Sequence, residues 1–328
     1  MTLVRYVEII LAAKPSIGAM DVLDDILKTL DLQGALYFRT HFSGSWGTTV
    51  PDYEQAARFH LVVQGTCHVT FKTGEHITLR PGDLILIPNG TGHVLSNSGL
   101  AKAPPLETTL IDAGYDGRGV LQVGEGDPTA ATQMICGHFT FRKGAKHPMI
   151  SNLPKYVHVT GSARASEPWL DDTLKLVSQR MFSAEPGATA TVTRLSEIVL
   201  IELLKSSLIE TENSQSVIKA LKDPQISAAL SAIHENASAN WSVDSLAQHV
   251  GMSRSRFSDR FSDLLGMGPM RYLADWRLQK ALVMLDQERA SVKLIASESG
   301  YQSVAAFSRA FSNKFGQSPR NFRREMAS

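Results

Sequence analysis

The 328-residue sequence predicts a multidomain chain of α and β structure: a β-barrel or β-sandwich, then a helical pair, then an all-α domain. Three observations predict it. From Gly34 to about Thr160, short β-type runs alternate with Gly, Pro and Asp. From Glu167 to Ile209, apolar residues recur at helical spacing, and from Val243 to Phe322 one helical pattern is written twice.

In chain order, residues 1–20 are expected to be a flexible tail, with Met20 an alternative start. The apolar patch Ile9–Ala13 is too short, and too closely flanked by Glu8 and Lys14, for a signal peptide. A domain over 21–162 opens with an amphipathic helix, Asp21–Leu30, carrying Val22, Leu23, Ile26, Leu27 and Leu30 on one side. Its strand runs are Ala35–Thr40, Arg58–Gln64, His68–Lys72, His76–Leu79, Leu84–Pro88, Thr109–Ala113 and Gln133–Phe141. A helical pair over 163–212 follows. Its stripes are Trp169, Leu170, Leu174, Val177 and Met181, then Leu195, Ile198, Val199, Leu203 and Leu204. Residues 213–225 are polar and aperiodic and read as a linker, leaving 226–328 as the last domain.

The last domain holds the duplication. Phe257/Phe307, Phe261/Phe311, Gly266/Gly316 and Pro269/Pro319 are each 50 residues apart, whereas Ala247/Ala296 and Gly251/Gly300 are 49 apart. Each copy reads as a helix-turn-helix: a small residue for close helix approach, a glycine to end the first helix, and phenylalanines at i and i+4 on the second. Ser242 and Ser291 read as N-caps of the leading helices. The exposed side of the first second-helix carries Arg254, Ser255, Arg256, Ser258 and Arg260. The other carries Gln302, Ser303, Arg309, Asn313 and Lys314. Guanidinium groups read guanine or grip phosphate, Gln and Asn read adenine, and small Ser lets a helix sit deep in a groove. Arg254, Arg256, Ser258, Gln302, Ser303 and Arg309 are the leading expected DNA contacts, and Arg260 and Lys314 are assigned to phosphates. Two matched basic helices make double-stranded DNA the expected partner.

This stretch closely resembles the DNA-binding domain of AraC-type transcription regulators. Further marks are Arg277-Leu278 on the connecting helix Met270–Leu285 and the closing Phe315-Gly316, Pro319 and Phe322-Arg323. The resemblance implies two recognition helices entering successive major grooves, a homodimer through the helical pair, RNA polymerase as a further partner, and activation of transcription.

A second passage runs Gly82-Asp83-Leu84-Ile85-Leu86-Ile87-Pro88-Asn89-Gly90-Thr91-Gly92-His93 to Asn97. It is similar to the second sequence motif of cupin barrels. Gly82 closes a turn, Leu84–Ile87 form a buried strand, Pro88-Asn89-Gly90 reverses the chain, and His93 starts the return strand facing inward. The first cupin motif is degenerate: the usual His-x-His is absent and Arg58 stands at the expected glutamate, so the usual four-ligand metal site cannot form. Strand alternation puts Arg58, His60 and Val62 on one face of their strand, and Cys136 and His138 share a face of theirs. Phe59-His60, Gly92-His93 and Ile135-Cys136-Gly137 resemble the cupin-type sensor domains of a subset of AraC-type regulators, some of which answer to reactive chlorine species.

Three readings of these residues stand side by side. His60, His93 and Cys136, with His138 or water, have the donor types zinc takes. Cys136 as a thiol redox sensor is the second. Inert core is the third. Cys67 alternates opposite His68 and reads as a bystander, and a Cys67–Cys136 disulfide depends on a separation the sequence does not give. The expected effector is thus a small molecule, a metal or an oxidant. Competing readings are a cupin enzyme fused to a DNA-binding domain, and a barrel that only dimerises. The missing His-x-His opposes the first, and inward Arg58, His60 and His93 oppose the second.

Composition agrees. The net charge of +1 conceals +4 over 226–328, from 13 Lys/Arg and 9 Asp/Glu, against −3 elsewhere. Two cysteines exclude a secreted disulfide scaffold, and no apolar run approaches membrane-spanning length, so a cytoplasmic protein is expected.

Overall fold

A computed structural model describes residues 21–53, 56–98, 102–117, 119–165, 167–181, 186–205, 216–286 and 290–326. The expected tail, 1–20, lies outside them. The chain forms two units: Leu30–Ile218, and the residues up to Thr29 together with Lys219–Ser328.

In chain order the elements are α1 (Val22–Leu30), β1 (Gln33–Phe42), β2 (Gly47–Val50), β3 (Ala56–Gln64), β4 (Cys67–Phe71), β5 (His76–Leu79), β6 (Leu84–Ile87) and β7 (His93–Ser96). Then come α2 (Leu106–Asp112), β8 (Val120–Val123), β9 (Thr132–Thr140), α3 (Pro148–Ser151), β10 (Val157–Val159), α4 (Gly161–Ala165), α5 (Pro168–Met181) and α6 (Ala188–Lys205).

The strands build a six-stranded sheet, β10-β6-β3-β9-β1-β8, and a four-stranded sheet, β2-β7-β4-β5. The pair is a cupin-like sandwich whose sheets do not close on one another. Alternating inward residues cannot tell a closed barrel from such a sandwich, because both bury the same face. Phe42, Val62, Cys67, Val69, Ile85, Leu95, Met134 and Cys136 belong to one buried core cluster of this unit. The opposite face of the larger sheet carries Phe59, Leu61, Leu86 and Phe139. Leu174 and Val177 of α5 and Val199, Leu200 and Leu203 of α6 share an apolar crevice with it. The helical stripes therefore cover their own sheet. Leu176 and Ile198 stay outside, at 38% and 48% exposure.

One expected strand is a helix. Thr109–Ala113 is β-branched enough to read as extended, yet Thr109–Asp112 belong to α2 and Ala113 is its C-cap. Pro105 precedes its first turn, Leu106 and Leu110 recur at helical spacing, and the buried Thr109 hydroxyl lies 2.9 Å from that of Thr48.

The unit boundary falls within α7 (Val217–Lys222), and the second unit continues with α8 (Pro224–Glu235), α9 (Val243–His249), α10 (Arg254–Leu265), α11 (Pro269–Asp286), α12 (Val292–Glu298), α13 (Val304–Phe315) and α14 (Pro319–Met326). Part of the expected linker is thus helical: α7 lies within it, and Asp223 caps α8 by accepting from the N–H groups of Gln225 and Ile226. Residues 213–215 of that linker lie outside the described residues.

Helix α1, expected with the sheets, groups instead with the C-terminal helices. Its Asp25 is 8% exposed and accepts from His234 Nδ1 at 2.9 Å and Lys280 Nζ at 2.7 Å. Tyr272 donates its hydroxyl to the other His234 nitrogen at 2.8 Å. Burial raises the Asp25 carboxyl, but the bonds from His234 and Lys280 outweigh it and hold it below the usual range. The helix was legible from its apolar stripe. Its partner was not, because a single buried aspartate pairs with residues more than 200 positions away.

Candidate functional site

The duplicated sequence folds into duplicated geometry. Gly251 (φ 65°) and Gly300 (φ 73°) end the leading helices α9 and α12, and Gly266 (φ 73°) and Gly316 (φ 76°) end α10 and α13 in the left-handed conformation. Met252 N–H donates to Ala247 O at 2.9 Å, and Tyr301 N–H repeats this to Ala296 O at 2.9 Å. The ring pairs Phe257–Phe261 and Phe307–Phe311 both have centroids 5.7 Å apart. Ser242 and Ser291 cap α9 and α12 as expected. Pro269 and Pro319 do more than end a unit: each is the first residue of the next helix, where a missing N–H is harmless.

Ser255 and Arg256 on α10, and Gln302, Arg309 and Asn313 at or on α13, are exposed. Arg254 is also exposed and pairs with Asp244 at 2.9 Å. Ser258 is half-buried. Three other expected contacts already have structural work. Ser303 accepts from Ala306 N–H as the cap of α13, Arg260 pairs with the capping Asp223 at 2.9 Å, and Lys314 pairs with Asp275 of α11 at 2.9 Å. Arg277 and Arg323, marks without an assigned role, clasp backbone. Arg277 donates to Ala237 O and Ala239 O at 2.7 and 2.8 Å, and Arg323 to Leu285 O and Ala290 O at 3.2 and 2.6 Å. The two guanidiniums thus brace α11 and α14 against the chain segments beside them.

The other unit assembles a different site. β6 belongs to the larger sheet and β7 to the smaller, so the Pro88–Gly92 turn carries the chain from one sheet to the other and delivers His93 to the interior. His60 lies opposite Cys136 in the β3–β9 ladder. Cys136 Sγ is 3.1 Å from His60 Nδ1, His60 Nε2 is 2.9 Å from His93 Nε2, and His93 Nδ1 is 2.8 Å from Thr91 O.

The last contact fixes the direction of the others. A carbonyl only accepts, so His93 Nδ1 carries a proton. Burial holds His93 neutral, with its pKa lowered to about 4, so Nε2 accepts from His60 Nε2–H. His60, also buried and held well below its usual pKa, then accepts the Cys136 thiol proton at Nδ1. Burial raises the Cys136 thiol far above its ordinary pKa. Arg58, 6% exposed, adds a positive charge that disfavours protonating His60 and His93. Gly137 lets β9 lie over Phe59, since an added Cβ would sit 2.6 Å from that ring.

These contacts form a line rather than a tripod. The two nitrogens of His60 point in opposite senses, one to sulfur and one to His93. The three side chains therefore do not converge on one ion, and among the described residues no group of three or more His, Cys, Asp or Glu is arranged to hold a metal. His138 faces Arg58 across the ladder and meets Tyr53 edge-on at 6.5 Å. Cys67 is fully buried in the same core cluster as Cys136, and both are free thiols. Arg58, His60 and Cys136 line an interior cavity of about 30 Å³, room for a water-sized molecule and not for a sugar or a drug-sized effector.

Comparison with known proteins joins the two halves. A family described as "Cupin" matches residues 21–208, and one described as "Helix-turn-helix domain" matches residues 246–325. The chain belongs to the AraC-type transcription regulators that carry a cupin domain. It is a DNA-binding transcription regulator. The chain is similar to the HTH-type transcriptional regulator AlkR of Acinetobacter baylyi, at 29% identity over 93% of this chain and 100% of that protein. It is also similar to the RCS-specific HTH-type transcriptional activator RclR of Escherichia coli, at 26% identity over 81% of this chain and 84% of that one. The chain is also similar to a solved transcriptional regulator from Chromobacterium violaceum, described as one of the AraC-type DNA-binding domain-containing proteins. It covers 33% of this chain and 97% of its own, at 31% identity and a TM-score of 0.32. No described helix of this regulator is long and apolar enough to cross a membrane.

Proposed function

We propose that this AraC-type regulator answers to a small oxidant at Cys136 and acts in the cytoplasm as a homodimeric activator that engages RNA polymerase rather than as an enzyme. One observation carries the oxidant reading: the Cys136 thiol donates to His60 beside a cavity that admits only a water-sized molecule. Hypochlorous acid, with two heavy atoms, is among the smallest oxidants, and a relative sharing most of its length is named for reactive chlorine species.

The chemistry balances. Sulfur bonds to the chlorine of hypochlorous acid, the Cl–O bond breaks, and the departing hydroxide takes up one proton. The products are a sulfenyl chloride and water, with sulfur oxidised and chlorine reduced. Water then displaces chloride, leaving a sulfenic acid and HCl. A buried thiol is a poor nucleophile until it loses its proton. His60 Nδ1 receives that proton, and His60 can pass the one on Nε2 to His93. Burial and Arg58 disfavour a lasting positive charge on His93, and the Thr91 hydrogen bond and Asp52 offset them only in part, so the proton passes on to the departing hydroxide. The exposed Leu176 and Ile198 on α5 and α6 support the dimer reading.

The test is dimedone trapping after one equivalent of hypochlorous acid. Cys136 should be labelled in preference to Cys67, and His60→Asn should slow labelling by about a hundredfold. Operator binding that changes while Cys136 stays unlabelled sinks the reading.

A further inference from the structure

The outer face of the smaller sheet carries two histidines that the interior line does not use. In β4, Cys67, Val69 and Phe71 are buried in the core cluster, so His68 and Thr70 face outward. In β5, Ile77 and Leu79 belong to the same cluster, so His76 and Thr78 face outward on the same side. The ladder sets His68 opposite Thr78 and Thr70 opposite His76, which places the two histidines on a diagonal. Their ring centroids lie 5.0 Å apart, and the rings are within 24° of parallel.

Both rings are held in the same way. His68 Nδ1 is 3.0 Å from Thr78 Oγ1, and His76 Nδ1 is 3.1 Å from Thr70 Oγ1. Each histidine is therefore oriented through Nδ1 by the threonine opposite it. When the threonine oxygen accepts from Nδ1–H, the lone pair is on Nε2, which is how a second side chain orients a histidine that ligates a metal. Neither Nε2 has a hydrogen-bond partner among the described residues. Partial burial, and His76 beside it, hold the His68 imidazole below its ordinary pKa and keep it neutral. Glu75, next to His76 in the chain, is engaged by Lys155 and Thr73 and supplies no third ligand.

We propose that His68 and His76 form a surface chelate for a divalent transition metal, bound through their two Nε2 atoms with water in the remaining positions. Two neutral imidazoles suit zinc or copper(II) and discriminate against magnesium and calcium, which take oxygen ligands. Rotation about the soft Cβ–Cγ bonds turns the stacked rings until both Nε2 atoms meet the ion. The ion then ties β5, the edge strand of this sheet, to β4. The chelate lies on the outer face and does not depend on Cys136.

The test is calorimetric titration of the full chain, purified without an affinity tag, with zinc chloride. One zinc should bind per chain, and magnesium should give no binding heat. His68→Gln and His76→Gln should each weaken zinc at least tenfold. Thr70→Val and Thr78→Val should each weaken it about three- to tenfold, with Thr70→Ser and Thr78→Ser restoring it. His249→Gln, an exposed histidine of the other unit, and Cys136→Ala should bind zinc like the parent. Melting in EDTA should be alike in the parent and the histidine variants, which separates loss of site from loss of fold. Copper(II) titrated in place of zinc should show two imidazole nitrogens by electron paramagnetic resonance in the parent and one in His76→Gln. Absence of zinc binding, unchanged affinity in both histidine variants, or the same copper spectrum in the parent and His76→Gln overturns the proposal.

Discussion

Replacing Asp25 by alanine tests whether α1 is part of the DNA-binding unit. The residue carries two interactions of different weight. Lys280 is about one-third exposed and regains water when its partner goes, so that loss contributes under about 1 kcal/mol. His234 has no exposed side-chain surface, and its Nδ1–H would be left buried without an acceptor, at about 1–3 kcal/mol. The sum is roughly 1–4 kcal/mol, which for a unit of this size lowers its melting temperature by roughly 5–15 °C. Hydrogen exchange read by mass spectrometry should localise the loss to α1, α8 and α11. Asp24→Ala is the control, because its pair with Lys28 is exposed on both sides and should matter little to stability. If Asp25→Ala and Asp24→Ala behave alike, α1 is not built into this unit and the reasoning fails.

Other outcomes follow from the same geometry. Gly300→Ala should destabilise by about 3 kcal/mol or more, because its φ is 73° and the new Cβ would lie 2.8 Å from the Ser238 backbone. Gly251→Ala, at φ 65° with open space around it, should lose only about 1–2 kcal/mol; equal melting points for the two would contradict the close approach seen at Gly300 alone. Arg256→Ala should weaken DNA binding by about 1–3 kcal/mol at one base pair of the site, measured on single-base variants; a uniform loss on every sequence would reassign Arg256 to phosphate. Acid should destabilise the cupin unit. His60 and His93 have folded pKa values lowered by burial, His93 to about 4, so the unfolded chain takes up protons first as pH falls below about 6.5. Stability should therefore fall between pH 6.5 and 4, and a flat profile in urea titrations across that range would refute it.

Much of this was legible in the sequence, for reasons that are local. A repeat that passes from 49 to 50 residues records two matching units, the second with one more residue in its turn, and their glycines, leading-helix caps and phenylalanine pairs fold alike because the same short-range geometry recurs. The Gly82–His93 passage gave a strand, a reversal and an inward histidine for the same reason. Alternation also placed Arg58, His60 and Cys136 around one interior space. It did not distinguish ligands from a hydrogen-bonded line, because that depends on which imidazole nitrogen faces which neighbour, a matter of ring rotation. Thr109–Ala113 misled because β-branched residues also suit a short helix once a proline starts it. The Asp25–His234 contact left no local signal, since it joins residues distant in sequence.

The most direct measurement is the affinity of the full chain for a DNA site selected from random sequence, before and after one equivalent of hypochlorous acid, with Cys136→Ser alongside. The account predicts that oxidation changes the affinity of the parent protein at least tenfold, that Cys136→Ser does not respond, and that Cys67→Ser responds like the parent. An equal response in Cys136→Ser, or none in the parent while Cys136 is shown to be oxidised, would contradict it.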